Sequence, residues 1–175
     1  MTIPLSPIVQ QLGSKLDDLI LGSDGAFDWI AGNEGNDKIY GYGGDDKLNG
    51  NRGNDLIYGG LGNDKVLGGA GNDELYGDAG NDRIAGDQGN DSLTGGTGQD
   101  TFIFIRKFGL DTITDFDAAD DTIQFAKKSF TSFAAVQAAW SQDGDDVLIN
   151  APGGHVLRIE NVLLAELTSA DFLFA

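Results

Sequence analysis

Residues 32–103 repeat every nine residues, eight times over, with no register error. The first unit is GNEGNDKIY and the last is GGTGQDTFI. Position one is always Gly (Gly32, Gly41, Gly50, Gly59, Gly68, Gly77, Gly86, Gly95), and so is position four (Gly35, Gly44, Gly53, Gly62, Gly71, Gly80, Gly89, Gly98). Position six is always Asp (Asp37, Asp46, Asp55, Asp64, Asp73, Asp82, Asp91, Asp100), and position eight is always apolar (Ile39, Leu48, Ile57, Val66, Leu75, Ile84, Leu93, Phe102). A short fixed period of this kind means that each unit buries its apolar face only against neighbouring units, which points to a stacked solenoid.

Three residues centred on position eight make a strand of about 10 Å whose middle side chain faces inward. The other six must reverse the chain. Glycines there permit positive φ and close backbone approach, and the Asn that recurs at position five (Asn36, Asn54, Asn63, Asn72, Asn81, Asn90) also tolerates left-handed geometry. Two units complete one coil, so unit n stacks on unit n+2 at about 4.8 Å. Asp37, Asp55, Asp73 and Asp91 then form one column, and Asp46, Asp64, Asp82 and Asp100 the other.

Carboxylates stacked so closely in a partly dry bend repel one another, and a cation between them removes the repulsion. With no Cys and a single distant His, the donors are oxygens, which select a hard ion over zinc or copper. A flexible cage of carbonyls and Asp favours Ca²⁺ over Mg²⁺, which demands strict octahedral geometry. The formal net charge is -17, and about eight divalent ions would roughly cancel it. The same charge argues against nucleic acid or an anionic membrane as a partner. No apolar run reaches transmembrane length, and the start, MTIPLSPIVQQLG, has neither a basic n-region nor an apolar h-region. Stable membrane insertion and export through an N-terminal signal are therefore not expected.

These units resemble the RTX (repeats-in-toxin) calcium-binding nonapeptides of secreted bacterial proteins. The resemblance implies a parallel β-roll whose ligands are the position-six Asp carboxylates and the carbonyls of the glycine-rich bends, here the position-one and position-four glycines. It also implies a secreted, extracellular protein that folds on calcium and is exported unfolded by a type I secretion apparatus. Five units depart at position two, where Asn33, Tyr42, Asn51, Asp78 and Asp87 replace Gly. If that position needs positive φ, Tyr42 is the least comfortable of them.

Residues 1–12 form a short lead with an edge strand over 8–12, and two imperfect units fill 13–31 before the regular array. Terminal repeats are usually atypical because they cap a stack. Leu16, Phe27 and Trp29 are read as that cap, with Asp28 as a ligand and Asp18 a weaker candidate. After Ile103 the period stops. Alternating stretches at 111–116 and 122–125, a short helix over 132–140, and a hairpin of 147–149 with 155–159 around NAPGG follow. This order resembles the C-terminal β-sandwich portion of serralysin-type exoproteins and the calcium-binding modules of secreted alginate epimerases. The expected fold is all-β, a parallel β-roll over 13–103 followed by a β-sandwich-like cap with one short helix over 104–175. The extreme end, Asp171 before Phe172, Leu173 and Phe174, resembles a type I export signal.

The acidic group Asp115, Asp117, Asp120 and Asp121 is read as a solvated turn, with a further calcium site as the alternative; it fails the EF-hand pattern. His155 is read as a surface or packed residue. No catalytic motif or acid/base constellation stands apart from the Asp lattice, so the chain is read as non-catalytic. Tyr40, Tyr58 and Tyr76 fall in one outer column, and Lys47, Lys65 and Arg83 in another on the opposite face. These two stripes raise an alternative, an anionic-polysaccharide-binding accessory module of a carbohydrate-active enzyme, against ordinary strand residues and charged surface. A freestanding extracellular calcium-binding effector is the third reading.

Overall fold

The single apolar residue of each unit turns inward and builds the core: Ile39, Leu48, Ile57, Val66, Leu75, Ile84, Leu93 and Phe102 are all 0–1% exposed. The computed structural model describes residues 9–105 and 108–175. Its strands are β1 (Val9–Leu12), β2 (Leu19–Asp24), β3 (Asp28–Glu34), β4 (Lys38–Gly43), β5 (Lys47–Arg52), β6 (Leu56–Leu61), β7 (Lys65–Ala70), β8 (Glu74–Ala79) and β9 (Arg83–Gln88). They continue as β10 (Ser92–Thr97), β11 (Thr101–Phe104), β12 (Leu110–Ile113), β13 (Thr122–Phe125), β14 (Trp140–Asp143), β15 (Asp146–Ala151), β16 (His155–Ile159) and β17 (Phe172–Phe174). The one α-helix among the described residues, α1 (Phe133–Gln137), is capped by Ser132, whose side chain accepts from the Ala135 amide.

Odd-numbered strands from β1 to β13, then β17, make one sheet; even-numbered strands from β2 to β12, then β16, β15 and β14, make the other. Neighbours are parallel and pair unit n with unit n+2, as in Ile39↔Ile57↔Leu75 and Leu48↔Val66↔Ile84. Antiparallel pairing joins β14 to β15 and β15 to β16, the second around the Pro152–Gly153 turn. Both sheets therefore run without a break from the repeats into the C-terminal segment. The regular strands are six residues long, reaching from position seven of one unit to position three of the next, so the bend proper is only positions four to six.

Position two has positive φ throughout, including Asn33 (82°), Tyr42 (72°), Asn51 (76°), Asp78 (75°) and Asp87 (70°). Tyr42 is thus an aromatic residue in the left-handed region, which favours Gly or Asn. The position-five Asn residues, by contrast, have no positive φ. Their Oδ1 atoms accept the position-five amide of the next coil, as in Asn54 N to Asn36 and Asn72 N to Asn54, both 2.7 Å. Asn recurs there because it satisfies an amide that the bend would otherwise leave open.

Adjacent glycines make different demands. Gly44, at position four, has φ +125°, and a Cβ on it would overlap the Ala26 carbonyl oxygen. A Cβ on Gly43 would meet nothing closer than 3.5 Å, and its φ is not positive. Gly44→Ala is expected to lower calcium-loaded stability by upwards of about 3 kcal/mol through backbone strain. Gly43→Ala should stay within about 0.5 kcal/mol of the parent. Urea denaturation of both variants in millimolar calcium checks the contrast, and equal losses would contradict it.

At the N-terminal end, Leu16 and Trp29 do not close the stack. They point outward, 73% and 53% exposed, because the inward position of their units is taken by Ile20 and Ile30. Strand β1 pairs with β3 at that end; Ile8, the expected first residue of this strand, lies outside the described residues.

Candidate metal centre

Each regular unit turns its position-six carboxylate into the bend, and the two columns form as the stacking requires. Within a column each Oδ1 accepts the amide of the position-six Asp one coil earlier. The bonds are Asp37 N to Asp55 (2.8 Å), Asp55 N to Asp73 (2.8 Å) and Asp73 N to Asp91 (2.9 Å) in one column. In the other they are Asp46 N to Asp64 (2.7 Å), Asp64 N to Asp82 (2.7 Å) and Asp82 N to Asp100 (2.8 Å).

One oxygen of each carboxylate is left over. Oδ2 of Asp37, Asp46, Asp55, Asp64, Asp73, Asp82, Asp91 and Asp100 is buried with no hydrogen-bond partner, on residues 1–3% exposed. A buried charged oxygen without a partner costs several kcal/mol, so a row of them calls for a ligand. The position-one glycine shapes the space. A Cβ on Gly59 would stand 2.6 Å from both Asp64 Oδ2 and the Gly77 carbonyl oxygen, so carboxylate and peptide oxygen converge where only a glycine leaves room. Among the described residues no three His, Cys, Asp or Glu side chains converge on one point, and backbone carbonyls must complete any coordination shell. All-oxygen donors of this mixed kind fit calcium. In such a shell the Asp would supply charge, and the position-one and position-four glycines would supply carbonyls and space.

Burial pushes these carboxyls up from their ordinary value of 3.8, to about 7 for Asp64 and Asp73 and to about 6 for Asp46, Asp55, Asp82 and Asp91, with neighbouring carboxylates adding to the shift at each. Asp37 and Asp100 move in the same direction for the same reason. Without metal, the fold thus binds more protons than the unfolded chain between about pH 4 and 7. This contribution is complete below the unfolded value and is lost as pH rises through 6 and 7. In chelator, the β signal in circular dichroism should grow as pH is lowered from 8 to 5, and calcium affinity should weaken over the same interval because protons compete for the same oxygens. A chelated spectrum flat across that range would contradict the reading.

The columns extend past the nonapeptides onto residues that the period does not mark. Asp91 N donates to Asp111 Oδ1 (3.1 Å), and Asp100 N to Asp121 Oδ1 (2.9 Å). Asp111 is 1% and Asp121 6% exposed. Of the acidic group read as a solvated turn, Asp115, Asp117 and Asp120 are exposed, whereas Asp121 is buried and ends a column; Asp115 accepts the Gly95 and Gly96 amides, both at 2.8 Å. At the other end Asp28 is fully buried in its column, but its Oδ2 accepts the Ser23 amide (2.6 Å) and hydroxyl (3.1 Å). Asp18 is similarly engaged by the Ser14 amide. The signal for the two extra coils was the tripeptide Asp-Thr-Ile, which occurs at 111–113 and 121–123.

The outer stripes also form. Tyr40, Tyr58 and Tyr76 stack with ring centroids 5.0 and 4.7 Å apart and planes within 8°. Tyr58 therefore has both faces covered by its neighbours, and the ladder ties neighbouring strands together. Lys47, Lys65 and Arg83 align in register on the other sheet and are exposed. His155 packs beside Phe108, ring centroids 5.1 Å apart.

Two parallel sheets wound as one coil, with aspartates stacked in every bend, define a calcium-binding β-roll. The sequence profile of the RTX calcium-binding nonapeptide repeat matches four times, over residues 13–41, 24–57, 40–75 and 67–102, and the chain belongs to that family. Among curated protein sequences none matches. The fold is similar to that of the extracellular lipase LipA from Serratia marcescens, at 20% identity and TM-score 0.48, over 97% of this chain and 40% of the lipase. It is also similar to the AlgE6R3 and AlgE6R2 subunits of the Azotobacter vinelandii mannuronan C5-epimerase. The identities are 25% and 26% and the TM-score 0.45 for each, over 100% and 99% of this chain and 86% and 95% of theirs. The chain thus spans well under half of the lipase's length. Among the described residues no helix is long and apolar enough to cross a membrane.

Proposed function

We propose that this chain is the calcium-triggered folding module of a secreted protein, without catalytic chemistry of its own. The observation that carries this is the row of buried, unpartnered carboxylate oxygens, with a peptide carbonyl converging on the same space at Asp37, Asp46, Asp64 and Asp82. Where calcium is scarce, repulsion and desolvation along both columns keep the chain open and fit for export through a type I apparatus. Outside the cell, ions fill the bends and the coils close. Titration calorimetry on the metal-free chain tests this. The expected result is cooperative uptake of several calcium ions per chain, with dissociation constants on the order of 10⁻⁴–10⁻³ M and no comparable uptake of magnesium. Absence of calcium uptake would sink the proposal.

A second reading draws on one surface. Beside the Lys47, Lys65 and Arg83 column lies a shallow polar groove of about 600 Å³ lined by Asn33, Glu34, Asn49, Asn51, Arg52, Asp87 and Gln88 among others. The cationic column itself suits an acidic polysaccharide. Calcium-loaded chain titrated with soluble uronate oligomers should then lose binding when Lys47, Lys65 and Arg83 are all changed to Gln. Binding unchanged by those substitutions would remove this reading and leave the first intact.

A further inference from the structure

We propose that the calcium lattice does not end with the nonapeptides, and that Asp111 holds one further calcium ion in a coil that the nine-residue period hides. The inference rests on the calcium reading above. Four local relations found in the regular units recur around Asp111, whose position-one place falls on Arg106, outside the described residues. The Thr112 amide donates to the Asp91 carbonyl (2.8 Å), as Ser92 does to Asp73 (2.9 Å). Ile113 lies in register with Leu93 and is fully buried, as a position-eight residue is. The Leu110 amide donates to Asn90 Oδ1 (2.9 Å), continuing the position-five ladder. A Cβ on Gly109 would overlap the Gly89 carbonyl oxygen, the constraint that fixes position four in the repeats. Asp91 and Asp111 are twenty residues apart instead of eighteen, so the chain makes the same bend with two residues inserted before it.

What makes this a metal site and not merely a structural echo is the state of its second oxygen. Asp111 is 1% exposed, and its Oδ2 has no partner. The other aspartates that end a column differ. Oδ2 of Asp121 accepts the Asp117 amide (3.0 Å), Oδ2 of Asp28 accepts the Ser23 amide, and Oδ2 of Asp18 the Ser14 amide. Where a column closes, then, a backbone amide four or five residues back takes the place of the ion. Asp111 Oδ2 has no amide at that spacing; the local backbone N–H that assists its carboxyl comes from Gly109, two residues back, so its column does not close in that way. The orphaned oxygen belongs to the same kind of bend as in the repeats, in which Gly109 lies against the Gly89 carbonyl as a position-four glycine does, so the ligand it takes is the same hard, oxygen-seeking divalent cation.

Asp111→Asn keeps the Oδ1 acceptor for the Asp91 amide and changes only the orphaned atom. Native mass spectrometry of the full chain in millimolar calcium should show one ion fewer for Asp111→Asn than for the parent, and no loss for Asp121→Asn. Crystals of the unaltered chain grown in calcium give a readout that does not depend on a variant folding. Anomalous density should mark an ion about 2.3–2.6 Å from Asp111 Oδ2, and none beside Asp121 Oδ2. An unchanged ion count in folded Asp111→Asn, or no ion at Asp111 in a crystal whose repeats are loaded, overturns this inference and leaves the calcium reading standing. A parent chain that binds no calcium overturns both.

Discussion

Chelating calcium from the folded chain at neutral pH should abolish nearly all of its β-sheet signal, and restoring millimolar calcium should bring it back. The reason lies in how thin the core is. Each unit of nine residues buries one apolar side chain completely, such as Ile57 or Leu75, which contributes about 1.5–3 kcal/mol. Ordering nine backbones costs about 1–2 kcal/mol per residue. Hydrogen bonds along the sheets offset part of this, but the carboxylate columns work against folding. At millimolar calcium and a dissociation constant on the order of 10⁻⁴ M, one site would stabilise the fold by about 1.4 kcal/mol, so an array of about eight would stabilise it by about 11. At roughly 10⁻⁷ M the same sites contribute almost nothing. That difference is as large as the whole stability of an ordinary domain. Far-UV circular dichroism with and without chelator at pH 8 checks it; a full β spectrum without metal would show that apolar burial and hydrogen bonds suffice.

Because the lattice is continuous, loss should depend on where it is cut. Asp64 lies between Asp46 and Asp82 in its column, bonded to both, whereas Asp100 is followed only by the amide-satisfied Asp121. Asp64→Ala is expected to lower both ion count and cooperativity more than Asp100→Ala. Equal losses in a calcium titration would argue against ions shared between stacked coils.

Period nine made the coil, the inward face of position eight and the two Asp columns legible from sequence, because each is a repeated, single-residue requirement. What stayed hidden is where the period slips or where a residue has more than one use. Asp111 and Asp121 occupy position six, but insertions shift them by two and three residues against the Asp one coil earlier, so a fixed window passes over them. Asn at position five suggested a left-handed backbone, yet the positive φ falls at positions two and four, and Asn serves as an acceptor between coils instead. Trp29 looked like a cap on hydrophobicity alone, but it occupies position seven, whose side chains face outward like that of Lys47. Asp28 matched its motif position, and the Ser23 amide and hydroxyl on its Oδ2 set it apart from the regular units.

Truncation after Phe104 should leave a chain that stays disordered or aggregates at millimolar calcium, even though every nonapeptide aspartate remains. The C-terminal segment is bonded into the roll at three levels. Strands β12 and β13 pair in parallel with β10 and β11, so removing them bares the backbone of the last coil. Asp111 and Asp121 satisfy the Asp91 and Asp100 amides, which sit in buried bends. Phe116, Phe108 and Phe125 pack on Phe102 and Phe104, with centroids 6.2, 5.1 and 5.7 Å apart. Leu93, Phe102, Ile103 and Phe104 are at most 8% exposed in the whole chain. Uncovering four such side chains costs about 6–12 kcal/mol at about 1.5–3 each, comparable to all that calcium supplies, and an open apolar edge of sheet invites association. Circular dichroism and sedimentation of residues 1–104 in calcium measure the outcome. A soluble monomer with the β content of the intact repeats would mean that the last coil closes itself and that the C-terminal strands serve some other purpose.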